Sequence, residues 1–119
     1  MELYRKNKDP LNDSLFENPT SEYRGTPFWA WNSQMTKEKV TMIVDTLKDM
    51  GMGGGHIHCR TGMNNSYMSE EFFDLVKDAN EKFKERDMVT WLYDEDRWPS
   101  GSGGGMVTKD HKYRMRFLI

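Results

Sequence analysis

From position 91 the chain reads Trp91-Leu92-Tyr93-Asp94-Glu95-Asp96-Arg97-Trp98-Pro99-Ser100-Gly101, so three carboxylates and a guanidinium follow directly on an apolar run. Adjacent carboxyl groups can serve glycoside hydrolysis, where pairs about 5–5.5 Å apart suit retention and about 6.5–9.5 Å suit inversion. Asp94 and Asp96, two apart in an extended segment, are expected to point the same way. That spacing does not by itself assign an acid or a base, because barrel enzymes draw their catalytic groups from different strands. The plain alternative is a local salt-bridge cluster that caps a loop.

A second group is His56-Ile57-His58-Cys59-Arg60. On a strand His56 and His58 share one face, and a His-x-His pair at a strand end can hold a metal if further ligands are near. His111 is the one other histidine. The alternative for each imidazole is a packed or hydrogen-bonded side chain. Cys59 has no activating base beside it and reads as a small buried residue. Neither glycine group, Gly51-x-Gly53-Gly54-Gly55 or Gly101-x-Gly103-Gly104-Gly105, is followed by Lys and Ser/Thr, so neither reads as a phosphate loop.

Composition narrows the function classes. The 119 residues carry 17 basic and 19 acidic side chains, interspersed, for a formal charge of -2. No basic face of the kind nucleic acid requires is visible, and no apolar stretch is long enough to span a bilayer. The opening Met1-Glu2-Leu3-Tyr4-Arg5 lacks the apolar run of a secretory signal, and the single cysteine agrees with a reducing compartment. The expected localisation is cytoplasmic, with no nucleic-acid or membrane partner.

Which elements position these groups? Residues 1–26 are polar, with Pro10 and Pro19 and no helical or alternating period; they read as an N-terminal leader laid over the body through Leu15, Phe16 and Tyr23. Phe28-Trp29-Ala30-Trp31, after Pro27, reads as a first strand. Thr36 caps a helix whose Val40, Ile43, Val44, Leu47 and Met50 share one face up to Gly51. Residues 53–59 read as a second strand and 60–68 as a loop. Ser69 opens a helix with Phe72, Leu75, Val76, Ala79 and Phe83 on one side. Residues 88–93 form the third strand, and Asp110 caps a last helix from His111. Met42, Met50 and Met52 read as core filling.

Strand, helix, strand, helix, strand predicts an α/β fold of parallel strands with crossover helices. A (β/α)8 TIM-type barrel needs roughly 250 residues, so residues 27–119 are expected to be its first three β/α units, a fragment ending on Phe117-Leu118-Ile119. Alone it is expected to be aggregation-prone, with an open sheet edge. Parallel strands would bring Asn32, then His58 and Arg60, then Asp94, Glu95, Asp96 and Arg97 to one rim, where α/β folds bind ligands. Trp31 and Trp98 would add flat faces suited to a sugar ring.

The motifs Phe28-Trp29-Ala30-Trp31-Asn32, Gly53-Gly54-Gly55-His56-Ile57-His58-Cys59-Arg60-Thr61-Gly62 and the 91–101 stretch resemble the N-terminal barrel region of bacterial glycoside-hydrolase-like proteins, nearest to the α-L-rhamnosidase-like family 106. The resemblance covers most of residues 16–119 and rests chiefly on Tyr93-Asp94-Glu95-Asp96-Arg97-Trp98-Pro99-Ser100-Gly101. It implies a multidomain carbohydrate-active hydrolase with a (β/α)8 catalytic barrel, a carbohydrate substrate and catalytic carboxylates on later strands, so the catalytic residues are left unknown here. His58, Arg60, Asp94, Glu95, Asp96, Arg97 and Trp98 are the expected substrate-binding residues, with no cofactor and no metal ligand assigned. His56 departs from the apolar residue expected at its position. The family is associated with calcium, but these residues show no calcium-loop spacing. The expected protein is thus part of a larger polypeptide, inactive alone. The alternatives are a metal-dependent hydrolase using His56 and His58, or a non-catalytic sugar-binding module.

Overall fold

A computed structural model describes residues 12–98 and 103–118. The first eleven residues of the leader, Pro99-Ser100-Gly101 of the expected loop and Ile119 lie outside the described residues. The described chain is a mixed α/β fold with three parallel strands in the order β1 (Phe28–Trp31), β2 (Gly54–Cys59), β3 (Val89–Asp96). Helix α2 (Lys37–Asp49) connects the first two strands and α3 (Glu70–Glu85) the last two; a short helix α1 (Asp13–Glu17) precedes them.

Each long helix starts and stops where its side chains dictate. Thr36 Oγ1 accepts from the Lys39 amide at 3.3 Å, and Ser69 Oγ from the Phe72 amide at 3.2 Å. Both are N-caps that satisfy otherwise orphaned donors. At the other end of α2, Gly51 adopts φ 77°, its amide donates to Lys48 O and the Met52 amide to Leu47 O. This is the paired closure of a Schellman motif. The same closure ends α3, with Asp87 at φ 54° donating to Lys84 O and Met88 to Phe83 O.

Both helices pack on one face of the sheet. Along β1, Trp29 and Trp31 are buried while Phe28 and Ala30 are exposed. The core gathers Trp29, Trp31, Ile57 and Cys59 from the strands with Val40, Val44 and Leu47 of α2 and Phe72, Leu75, Ala79 and Phe83 of α3. Trp29 meets Phe83 edge-on and Trp31 meets Phe72 edge-on, at 6.0 and 5.8 Å between ring centroids. Gly55 lies beneath the helices, where a Cβ would come to 3.0 Å from Phe83 and 3.2 Å from Leu47. The missing side chain lets both helices sit close to β2. Arg86 ties the pair together, bonding Asp45 at 2.6 Å while its carbonyl accepts from Lys48 Nζ.

Several expectations need correcting. Met42 and Met50 are exposed, whereas Met52 is partly buried against the core; the methionines buried in the core are Met35 and Met88 beside helix ends and Met63 in the loop between β2 and α3. Asn12 caps the short α1, yet Phe16 is 88% exposed and Tyr23 is exposed too. The leader instead reaches the body through Ser21, whose hydroxyl donates to Asp87 O, and through Gly25, whose carbonyl accepts from the Gly53 amide. The third strand runs past Tyr93 to Asp96. Asp110 does cap, accepting from the Lys112 amide, but only a single 3-10 turn, His111–Tyr113, follows. No helix among the described residues is long and apolar enough to cross a membrane.

Candidate functional site

Because α2 and α3 cover the same face, the other face of the sheet carries neither of the two long helices of the described residues. Parallel pairing sets Phe28 opposite His56 and His56 opposite Trp91, with Ala30 opposite His58 in the next row. A strand's side chains alternate between faces, so this register collects rings on the bare side. Phe28 lies 5.2 Å from His56 and 5.5 Å from His58, His56 lies 5.5 Å from Trp91, and His58 lies 4.4 Å from Tyr93. Phe28 nevertheless remains 62% exposed. The bare face is an apolar, ring-lined surface with imidazole nitrogens set into it.

At the carboxyl end the ladder breaks its register. Ile57 pairs with Leu92, but Cys59 pairs with Asp96. Tyr93, Asp94 and Glu95 therefore stand opposite His58 alone, a bulge carrying the acidic residues of the sequence motif. Bulges re-aim side chains beside functional sites. Asp94 is exposed, Glu95 half-buried and Asp96 buried. This corrects the expectation that Asp94 and Asp96 present one matched pair: after the bulge Asp96 enters a buried position beside Cys59, and Asp94 remains outside. Asp96 Oδ2 accepts from Arg97 Nη1 at 2.6 Å, and Arg97 Nη2 donates to Met63 O at 3.4 Å. Arg97 itself sits at φ 55°, a left-handed conformation that costs a non-glycine residue roughly 1–2 kcal/mol.

The electrostatics are uneven. His58 is only 7% exposed, and burial, aided by the nearby Arg60 cation and opposed by Glu95, holds its pKa below the usual imidazole value. Burial, followed by the Asp96 charge, pushes the Cys59 thiol up to about 11. Burial also raises the Tyr67 hydroxyl, with Cys59, Asp96, Asp94 and Glu95 adding to it. His58 Nε2, Glu95 Oε2 and Asp96 Oδ1 are buried with no hydrogen-bond partner among the described residues. Each such atom costs on the order of 1–3 kcal/mol, a cost that a ligand can relieve.

Of the residues expected to bind substrate, His58, Glu95 and Asp96 are thus drawn inward. Arg60, Asp94, Arg97 and Trp98 are exposed. Trp31 belongs to neither group. It is 0% exposed beneath the helices, because the alternation of β1 turns it to the core together with Trp29, and its ring is not available to a sugar.

Compared with known proteins, the chain matches no family model, no curated protein and no solved structure. What the site can do is therefore read from its own residues.

Three residues of the site were not singled out from the sequence. Asn65, buried, accepts from the Met35 amide at 2.8 Å and donates to Met35 O and to Glu71 Oε1. It clasps the loop after β1 to the loop after β2, the segments that frame the rim. Tyr67 donates its hydroxyl to Asp94 O at 3.2 Å, fixing the bulge. Tyr93 supplies the ring against His58. The asparagines of 60–68 were visible as loop formers, but nothing local distinguishes Asn65 from Asn64, since its main-chain partner Met35 lies 30 positions away.

The described residues do not fit a metal centre, whether for calcium or a transition metal. No three or more His, Cys, Asp or Glu side chains among them are grouped to hold an ion. His56 and His58 do share a face, but the rings of Phe28, Trp91 and Tyr93 fill the space around them. The arrangement offers instead isolated hydrogen-bonding atoms amid aromatic surface, which suits a ligand with hydroxyls and an apolar face.

Proposed function

We propose that these three β/α units are part of a (β/α)8 barrel in a carbohydrate-active, glycoside-hydrolase-like protein, similar to the α-L-rhamnosidase-like family 106. The bare face of the sheet would then look into the barrel. His58, Arg60, Asp94, Glu95, Asp96, Arg97 and Trp98 line the sugar-binding rim. One observation carries the reading: strand order follows chain order and both crossover helices lie on a single face. A barrel is wound this way, whereas a doubly wound sheet places helices on both faces. The ring-lined bare face and the polar strand ends agree with it.

The carboxylates that cleave the glycosidic bond are assigned to other strands of the barrel, as the resemblance implies, so the described residues bind and orient the sugar without cleaving it. Trp98, 58% exposed, gives the test. Titrating the chain with L-rhamnose and rhamnose-containing oligosaccharides should produce a saturable change in tryptophan fluorescence that Trp98→Ala removes, with no glycoside hydrolysed. A flat titration with every neutral sugar tried would overturn the reading.

A further inference from the structure

We propose that the glycine turn at 103–105 is a strap that closes over Asp96, an autoinhibitory contact that withholds this carboxylate from solvent and from any ligand until the strap lifts. The proposal goes beyond the sugar-binding reading and does not depend on it. Gly103, Gly104 and Gly105 stand at φ 56°, 66° and 85° in succession. A left-handed run of this kind is open to glycine, whereas any other residue type pays a penalty at each position. The run permits a close approach to the body. A Cβ on Gly104 would come to 2.8 Å from Tyr67 Cδ1 and 3.4 Å from Asp96 Oδ2, while one on Gly105 would meet nothing within 4 Å.

Tyr67 is a fixed seat for the strap. Its hydroxyl donates to Asp94 O at 3.2 Å, and its ring packs on the core 5.4 Å from the ring of Phe72. The ring is therefore held at both ends. The strap in turn keeps its own shape: the Met106 amide donates to Gly103 O and the Lys109 amide to Gly105 O, while Arg114 donates from Nε to Thr108 O at 2.6 Å and from Nη2 to Lys109 O at 3.4 Å. Because these bonds lie within 103–114, the segment can lift as one piece without breaking them. Its seat at Gly104 is a packing contact.

What lies beneath sets two terms against each other. Asp96 is 8% exposed, with Oδ2 held by Arg97 and Oδ1 buried without a hydrogen-bond partner among the described residues. Closure leaves that acceptor dry; lifting hydrates it and gives up the packing of Gly104 on Tyr67. Opposed terms of this kind suit a segment that opens locally, short of global unfolding. Cys59, 1% exposed and opposite Asp96 in the ladder, reports the same opening.

Carbodiimide coupling of glycinamide to the folded chain, mapped by peptide mass spectrometry, reads the strap with exposed Asp94 as internal reference. In wild type Asp96 should couple about tenfold or more slowly than Asp94, because coupling tracks the open population. Asparagine tolerates the left-handed conformation, so Gly104→Asn and Gly105→Asn differ in what their side chains meet. Gly104→Asn should raise coupling at Asp96 by about tenfold or more, with Asp94 unchanged, since overpacking the seat favours the lifted strap. Thiol labelling of Cys59 should rise with it. Gly105→Asn should change neither by more than about twofold. Circular dichroism and the denaturant midpoint check that each variant is folded. In wild type, coupling at Asp96 should also stay flat in urea well below the midpoint, because a local opening exposes little surface. Equal protection of Asp96 in the two variants would overturn the strap. A coupling rate that climbs only with global unfolding, in urea or in Gly104→Asn, would overturn it as well. Neither result bears on whether the chain binds a sugar.

Discussion

Cys59 lies opposite Asp96 across the β2–β3 ladder, although Ile57, two residues earlier on β2, lies opposite Leu92, four residues earlier on β3. The two extra residues of β3 bring a carboxylate against a thiol. Burial is the larger cause of the raised thiol pKa and Asp96 the next. A rise from 9.0 to about 11 leaves roughly 100-fold less thiolate at pH 8. Disulfide-reagent labelling of the folded chain should therefore be about 100-fold slower than that of an unfolded control. Asp96→Asn should speed it without reaching the control rate. Equal rates for folded and unfolded wild type would show that Cys59 is not enclosed as described.

Asn65 holds two loops by its amide. Replacing it with alanine leaves Met35 N and O without their partner in a buried place and releases Glu71. Orphaned buried groups cost about 1–3 kcal/mol each. Denaturant unfolding of Asn65→Ala should show a loss of about 2–4 kcal/mol, against less than about 0.5 kcal/mol for Asn64→Ala, an exposed neighbour. Equal effects would remove the clasp from the account.

The elements were legible because their signals are local. Thr36 and Ser69 announced the helix starts by residue type, Gly51 announced one stop, and the spacing of Val40, Val44 and Leu47 drew the buried stripe. What failed depended on contacts distant in sequence. Met50 continued the apolar spacing of α2, but the chain turns away at Gly51 and leaves it in solvent. Trp31 has the residue type of a sugar platform, and only the choice of face, fixed by where both helices pack, makes it core. The bulge was hidden for the same reason: alternation along 91–96 reads as regular until the pairing with β2 is known. Hence the polar residues at the strand ends could be named from the sequence, while the separation of buried Asp96 from exposed Asp94 could not.

His58 makes stability depend on pH. Its folded pKa lies below the ordinary imidazole value of 6.5 because burial and Arg60 disfavour the cation more than Glu95 favours it. The unfolded chain thus binds the proton first as pH falls. The stabilising contribution is complete above about pH 6.5 and is lost as pH drops through the lowered folded value. Unfolding free energy measured from pH 7.5 to 5 should decline, and His58→Phe should flatten the decline by up to about 1.4 kcal/mol per pH unit. A variant with the unchanged wild-type slope would show that His58 is not the group responsible.

The glycines at the start of β2 are required by packing. Gly54 pairs with Val89, and a Cβ there would fall on the Val89 carbonyl and its side chain. Alanine therefore cannot enter without moving β3 away from β2, which would break the ladder below the bulge. Gly51, by contrast, needs freedom of φ and has open space around its Cβ position. Gly54→Ala should lower stability by several kcal/mol, on the order of 3. Gly51→Ala should cost only the left-handed backbone penalty of roughly 1–2 kcal/mol, and Gly51→Asn should recover part of it because asparagine tolerates that conformation. The two positions then differ in kind: an asparagine rescue at Gly51 and none at Gly54. Rescue at Gly54 as well would mean that conformation, and not the close approach of β3, selects glycine there.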